Sequence, residues 1–135
     1  MTTRTPSEQE VLEAASSIVD AFAATDGDRY FAGFTPDATF IFHTEPARLG
    51  DRAEYERLWS GWVDAGWRVL TCESSNQAAQ PFPGGAVFSH EVFTRVDTSD
   101  GEDAYRERET IVFQLDGDAL LAVHEHLSPA PESDS

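Results

Sequence analysis

The chain has 135 residues, 40% hydrophobic and 11% aromatic, enough for one domain with a real core and too apolar for a disordered chain. Nine basic residues against 25 acidic ones give a formal charge of −16, which repels phosphate backbones and anionic lipid heads, so no nucleic acid and no membrane surface is expected as a partner. The single cysteine, Cys72, excludes an internal disulfide and a cysteine-rich zinc site.

No apolar run approaches the roughly 18 residues of a membrane span. The stretch Met1–Pro6 is polar and lacks the apolar centre of a signal peptide. A soluble, cytoplasmic protein is expected, with one domain over residues 7–129 and flexible termini at 1–6 and 130–135.

Ser7 followed by Glu10 fits a capping box. Val11, Leu12, Ala15, Ile18, Val19, Phe22 and Ala23 then recur at helical spacing and predict a helix of about 18 residues, ended by Thr25-Asp26-Gly27-Asp28. A second helical turn carries Tyr30, Phe31 and Phe34 and stops at Thr35-Pro36. Asp37–Thr44, rich in aromatic and β-branched residues, reads as a strand. Asp51 can cap a helix running to Ala65, whose stripe is Tyr55, Leu58, Trp59, Trp62 and Val63. The rest is strand signal: Trp67–Ala78, a Pro81–Gly85 turn, Ala86–Val96, a polar Asp97–Asp103 loop, Ala104–Leu115, an Asp116–Asp118 turn, then Ala119–Ser128.

Helices first and hairpins afterwards predict an α+β fold, a strongly curved, antiparallel-rich sheet wrapped around N-terminal helices. Long antiparallel strands twist and curl. Helices across the concave face leave a conical hollow, the natural place for a small-molecule ligand.

The run Arg106-Glu-Arg-Glu-Thr-Ile-Val-Phe113, the Asp116-Gly117 turn and Val123-His-Glu-His-Leu-Ser128 together resemble the closing hairpin of SnoaL-like proteins, within the nuclear transport factor 2-like superfamily. That group repeats an Arg-x-x-Glu-Thr-x-Val strand, an Asp-Gly turn and a Val-His-x-His-x-Ser strand. The association domain of calcium/calmodulin-dependent kinase ends similarly. The resemblance covers residues 7–129 and implies the cystatin-like α+β cone. It also implies a homodimer packed through the outer sheet face. The group includes isomerases, polyketide cyclases, dehydratases, ligand-binding proteins and assembly domains, so it does not select one activity. Asp118-Ala119-Leu120 stands where the group usually has a Trp, and neither the cyclases' His–Asp pair nor the steroid isomerases' Asp base and Tyr is matched here.

Side chains alternate across a strand, so each strand presents two sets. The apolar sets belong toward the helices. They carry Glu109 with Ile111 and Phe113, Glu125 with Val123 and Leu127, and Glu91 with Val87 and Phe93. Glu91, Glu109 and Glu125 are therefore candidate catalytic residues, with His43 from the first strand. Burial and a neighbouring carboxylate both raise a carboxyl pKa, and such a pair can hold a shared proton and work as acid and base. Tyr30, Tyr55, Trp59 and Trp62 would wall the ligand. The competing reading pairs Glu91 or Glu109 with Arg95, Arg106 or Arg108 across the sheet and leaves the tryptophans as core.

His90, His124 and His126 are assigned to the opposite face, at a dimer contact with Phe88, Arg108 and Val112. His124-x-His126 has metal-pair spacing but no third ligand, so no metal and no cofactor are expected. No Gly-x-Ser-x-Gly elbow or Ser–His–acid arrangement supplies a nucleophile. The reading that results is a cofactor-free acid–base isomerase, cyclase or dehydratase of a hydrophobic carbonyl compound. The alternative is a non-catalytic ligand-binding or dimeric assembly domain. A one-residue slip in register would exchange the glutamate and histidine faces.

Overall fold

The computed structural model describes residues 3–131. Helix α1 (Glu8–Ala23) opens on the expected capping box, in which Ser7 Oγ accepts from the Glu10 amide at 3.1 Å and Glu10 Oε1 accepts from the Ser7 amide at 3.0 Å. It buries Val11, Ala15, Ile18 and Ala21. Thr25, with φ at 52°, breaks the helical path, and its hydroxyl accepts from the Val69 amide at 2.9 Å, tying this corner to the sheet. The short α2 (Gly27–Phe31) follows, capped by Asp26.

Strand β1 (Phe34–Phe42) starts earlier than the sequence suggests. Phe34 belongs to it and not to the preceding turn, because the Ala122 amide donates to Gly33 O at 2.8 Å and pulls this segment onto the sheet. Helix α3 (Arg52–Asp64) is capped by Asp51, whose Oδ1 accepts from the Glu54 amide at 2.9 Å. Four long strands complete the chain: β2 (Arg68–Phe82), β3 (Gly85–Thr98), β4 (Gly101–Asp116) and β5 (Ala119–Pro129).

The five strands form one sheet in the order β1-β5-β4-β3-β2. Only β1 and β5 run parallel; the other pairs are antiparallel. The sheet is curved and the helices cover its concave face, an α+β cone. Phe34, Phe40, Phe88, Ile111 and Phe113 are fully buried between the layers.

Three details differ from expectation and decide where side chains point. First, the β3–β4 connection is not a seven-residue loop. Pairing continues to Thr98 and Gly101, leaving Ser99-Asp100 as a two-residue turn. The Thr98 hydroxyl donates to Gly101 O at 2.8 Å and accepts from the Asp100 amide at 3.1 Å, which closes the turn tightly. Second, β2 runs on through Pro81 to Phe82, pairing Phe82 with Gly85. An edge strand tolerates a proline, which has no N–H to offer, and Gly85 is needed because a Cβ there would sit 2.3 Å from Phe113 O. Third, β5 carries a bulge. Val112 pairs with His124 but Phe113 pairs with Ala122, so Val123 is an extra residue. Strict alternation would place Ala122 and Glu125 on opposite faces. The bulge puts both on the concave side, where they are buried.

Residues 3–6, expected as part of a loose arm, dock instead. Pro6 is fully buried, Arg4 pairs with Glu10 at 2.7 Å, and Arg4 O accepts from the Gly84 amide at 2.9 Å. Residues 1–2 and 132–135 of the expected flexible termini lie outside the described residues.

Candidate functional site

The concave face and the helices enclose a cavity of about 410 Å³. Its apolar walls are Ile18, Val19 and Phe22 from α1, Trp62 from α3, Trp67 just before β2, and Val92 from β3. Tyr30, Tyr55 and Phe42 continue the aromatic lining. Exposed His43, Thr44 and Asp103 contribute polar lining. No lysine or arginine lines it, whereas Glu45, Asp103, Glu107, Glu109 and Glu125 do.

Glu107, Glu109 and Glu125 share one inward patch. Glu107 and Glu109 are two apart on β4, so they point the same way. Glu109 sits opposite Leu127 and Ile111 opposite Glu125, which makes Glu109 and Glu125 diagonal neighbours. Their carboxyl groups are near enough for each to shift the other's proton affinity. The Tyr30 hydroxyl donates to Glu125 Oε1 at 3.3 Å and lies 3.0 Å from the Tyr55 hydroxyl. On the other side His90 Nε2 is 2.6 Å from Glu109 Oε1, and His90 Nδ1 is 2.5 Å from Ser74 Oγ. Glu107 meets His43, with Oε2 2.5 Å from His43 Nε2.

These surroundings shift the proton affinities together. Burial and then the charge of Glu109 hold the Glu125 carboxyl well above the usual carboxylate range. Burial also raises Glu109, against the hydrogen bond with Glu125, which lowers it. Burial raises Glu107 too, opposed by His43. Tyr30 and Tyr55 are driven well above the ordinary phenol value by burial and by Glu125. Burial pushes the His90 imidazole down to about 4 and the Cys72 thiol up to about 11. The two carboxyls titrate together as a pair, and Glu125 is the one whose proton affinity is raised further.

The sequence-derived candidates divide. Glu109, Glu125, His43, Tyr30, Tyr55 and Trp62 all line the cavity. Glu91 does not: it lies opposite Arg108 on the outer face and accepts from Asn76 Nδ2 at 3.1 Å. The tight β3–β4 turn is the cause, because it sets His90 opposite Glu109 and so turns Phe88, His90, Val92 and Thr94 inward. Trp59 does not line the cavity either. It stacks on Tyr30 at 5.1 Å and is part of the core.

The sequence pattern puts His90 on the outer face with His124 and His126, whereas the structure buries it on the inner one. The signal was available: Phe88, Val92 and Val96 make its set the more apolar of the two on β3. His124 and His126 do face outward, and His124 Nδ1 lies 2.7 Å from Thr39 Oγ1. Among the described residues no group of three His, Cys, Asp or Glu side chains is placed to hold a metal ion. Glu107, Phe22 and Trp67 also line the cavity without having been singled out. The arginines that could have neutralised Glu109 are engaged elsewhere, Arg95 with Glu102 at 2.8 Å and Arg106 over the Phe93 ring at 4.6 Å.

A curved sheet closed by helices over a carboxyl-floored hollow defines an α+β cone with an internal cavity. Residues 11–132 match the SnoaL-like domain, and the chain belongs to that family. Solved structures agree on the fold. A nuclear transport factor 2-like superfamily protein of Salmonella enterica serovar Typhimurium superposes with a TM-score of 0.79 at 15% identity, covering 93% of this chain and 92% of that one. A putative calcium/calmodulin-dependent protein kinase II association domain from Xanthomonas campestris gives 0.78 at 14% identity, covering 98% and 97%. A nuclear transport factor 2-like protein of Cytophaga hutchinsonii gives 0.78 at 11% identity, covering 93% and 100%. No functionally curated protein matches.

Proposed function

We propose that the protein is a cofactor-independent acid–base enzyme that moves a proton next to the carbonyl group of a hydrophobic small molecule, as an isomerase, cyclase or dehydratase. The observation that carries this reading is the Glu109–Glu125 pair, two adjacent buried carboxyl groups with raised proton affinities at an aromatic cavity with no arginine to neutralise them. A structural ion pair would bring a cation. This arrangement holds a proton donor and a proton acceptor side by side, as enolisation requires.

The roles follow from the surroundings. Glu109, ionised, abstracts the proton α to the carbonyl. Glu125, protonated and supported by the Tyr30 hydroxyl, donates to the oxygen that gains charge. Tyr30, Tyr55 and Trp62 hold the flat or chain-like body of the substrate, and His43 with Glu107 supplies a polar grip beside it. Acidic side chains and no basic ones favour a neutral substrate and disfavour phosphates, carboxylates and acyl thioesters of anionic carriers. The outer sheet face, with Val87 opposite Val112, would pack on a second copy of the chain.

The test is deuterium wash-in. Neutral hydrophobic 1,3-dicarbonyls and β,γ-unsaturated ketones are incubated with protein in deuterium oxide and followed by NMR. Wild type should exchange the α-proton of at least one compound, and both Glu109→Gln and Glu125→Gln should abolish it. Saturable binding without exchange across the panel would favour the non-catalytic ligand-binding reading.

A further inference from the structure

Behind the carboxyl pair runs a chain of hydrogen bonds that the catalytic reading does not use. Gln77 Nε2 donates to Ser74 Oγ at 2.8 Å. Ser74 Oγ lies 2.5 Å from His90 Nδ1, and His90 Nε2 lies 2.6 Å from Glu109 Oε1. The chain starts at exposed Gln77 on the β2 edge and ends on the buried cavity-lining carboxyl of Glu109, crossing a histidine whose side chain is 0% exposed.

We infer that His90 is a positioning residue: fixed by Ser74 as the Nε2–H tautomer, it donates to Glu109 and thereby assigns the shared proton to Glu125. For its functional meaning this rests on the acid–base reading of the pair.

The direction of the chain follows from counting protons. A neutral imidazole has one N–H and one acceptor nitrogen. Ser74 Oγ already accepts from Gln77, so its own hydrogen is free to go to Nδ1. Nε2 then carries the N–H and can only donate, and Glu109 Oε1 can only accept. A carboxyl that accepts from a buried donor is stabilised in its ionised form. Among the described residues the one hydrogen-bond donor to Glu125 is Tyr30, at the longer distance of 3.3 Å, so Glu125 is the partner that keeps the proton. The reverse arrangement, with Glu109 protonated and donating to Nε2, would put the N–H on Nδ1. Ser74 Oγ would then face two donors, and its own hydrogen would lack this acceptor.

Burial keeps the imidazole neutral, with its pKa pushed down to about 4, and the charge of Glu125 opposes this only in part. The other titratable groups around the pair are Cys72 on β2, Glu107 on β4, Tyr30 on α2 and Tyr55 on α3, and no lysine or arginine lines the cavity.

The arrangement assigns chemistry as well as charge. Without the His90 donor the two carboxyls would differ less in proton affinity. Acid and base would then exchange roles between molecules of the same population. With it, Glu109 is the base in every copy.

The experiment is ¹⁵N NMR of the histidine rings at pH 7 to 8 on the unliganded wild-type protein, with the His90 signals identified by their loss in His90→Gln. The expected result is a neutral Nε2–H tautomer with Nδ1 as a hydrogen-bond acceptor. An Nδ1–H tautomer or an imidazolium would overturn the inference. A second measurement follows the Glu109 and Glu125 side-chain carboxyl ¹³C signals through a pH titration. In His90→Phe the midpoint of Glu109 should rise by roughly one unit or more, and His90→Gln, which restores an N–H donor, should bring it back. An unchanged Glu109 midpoint in folded His90→Phe would contradict the proposal. Neither measurement needs turnover, so absent α-proton exchange with an Nε2–H imidazole would sink the enzyme reading and leave this inference standing.

Discussion

The two faces of strands β3 and β4 treat the same side chains in opposite ways. On the outer face, glutamates meet cations and amides: Glu91 lies opposite Arg108 and accepts from Asn76, and Glu102 pairs with Arg95. On the inner face, Glu107 meets His43, and Glu109 meets His90 and Glu125. Outer glutamates each have a hydrogen-bond donor beside them. Inner ones compete with each other for protons. The contrast teaches that function follows from which face a glutamate occupies, and the face is decided by turns and bulges far from the glutamate.

The largest expected effect breaks the contrast at its centre. Glu125→Gln and Glu109→Gln should each lower α-proton exchange by roughly 10²–10⁴-fold, the usual contribution of a general acid or base. Glu91→Gln, the same change on the outer face, should leave the rate near wild type. Equal losses in all three variants would remove the distinction.

Next comes packing. Phe88 is fully buried on the inner face and Phe93 is half-buried on the outer one. Phe88→Ala should cost about 3–5 kcal/mol in urea unfolding, and Phe93→Ala clearly less. A Phe93 cost that grows with protein concentration would support the proposed second copy on that face.

The pH dependence of stability is a subtler probe. Glu125 and Glu109 have raised folded-state affinities, so the folded protein retains protons that the unfolded chain has lost. Their contribution is complete below the unfolded carboxylate pKa and is lost as pH rises through the folded values. His90 acts in the opposite sense only at acid pH, because its folded value near 4 lies below the ordinary imidazole value. Its contribution is present above about pH 6.5 and is lost as pH falls toward 4. Above about pH 6.5 the imidazole contribution is complete, so the raised Glu125 carboxyl should dominate. Wild type should lose stability with rising pH there, and Glu125→Gln should show a flatter profile. The smallest effect belongs to the outer face, where Arg95→Ala should cost below about 1 kcal/mol, shrinking with salt.

Much of this contrast was legible in the sequence, and the part that was not has definite causes. The capping box at Ser7 and Glu10 and the stripe through Tyr55 and Trp62 are local signals, and local signals survive folding. Glu109 with Ile111 and Phe113 was legible because an unbroken alternation on β4 carries it. Glu125 faces inward, but strict alternation mislocates Ala122, because nothing in Leu121–Glu125 announces a bulge at Val123. Glu91 and His90 were exchanged because Asp97–Asp103 is polar enough to read as a loop, and only the Thr98 hydroxyl bonds reveal a two-residue turn. Trp59 was misplaced because a helical stripe gives a buried face without saying whether the neighbour is a ring or a cavity.

The central claim is that the buried Glu125 carboxyl keeps its proton at neutral pH. Infrared spectroscopy with ¹³C-labelled glutamate reads it directly. At pH 7.5 the wild-type protein and Glu91→Gln should both show the isotope-shifted C=O band of a protonated carboxyl, and Glu125→Gln should lack it. Absence of that band from the wild type, with every glutamate ionised, would contradict the account.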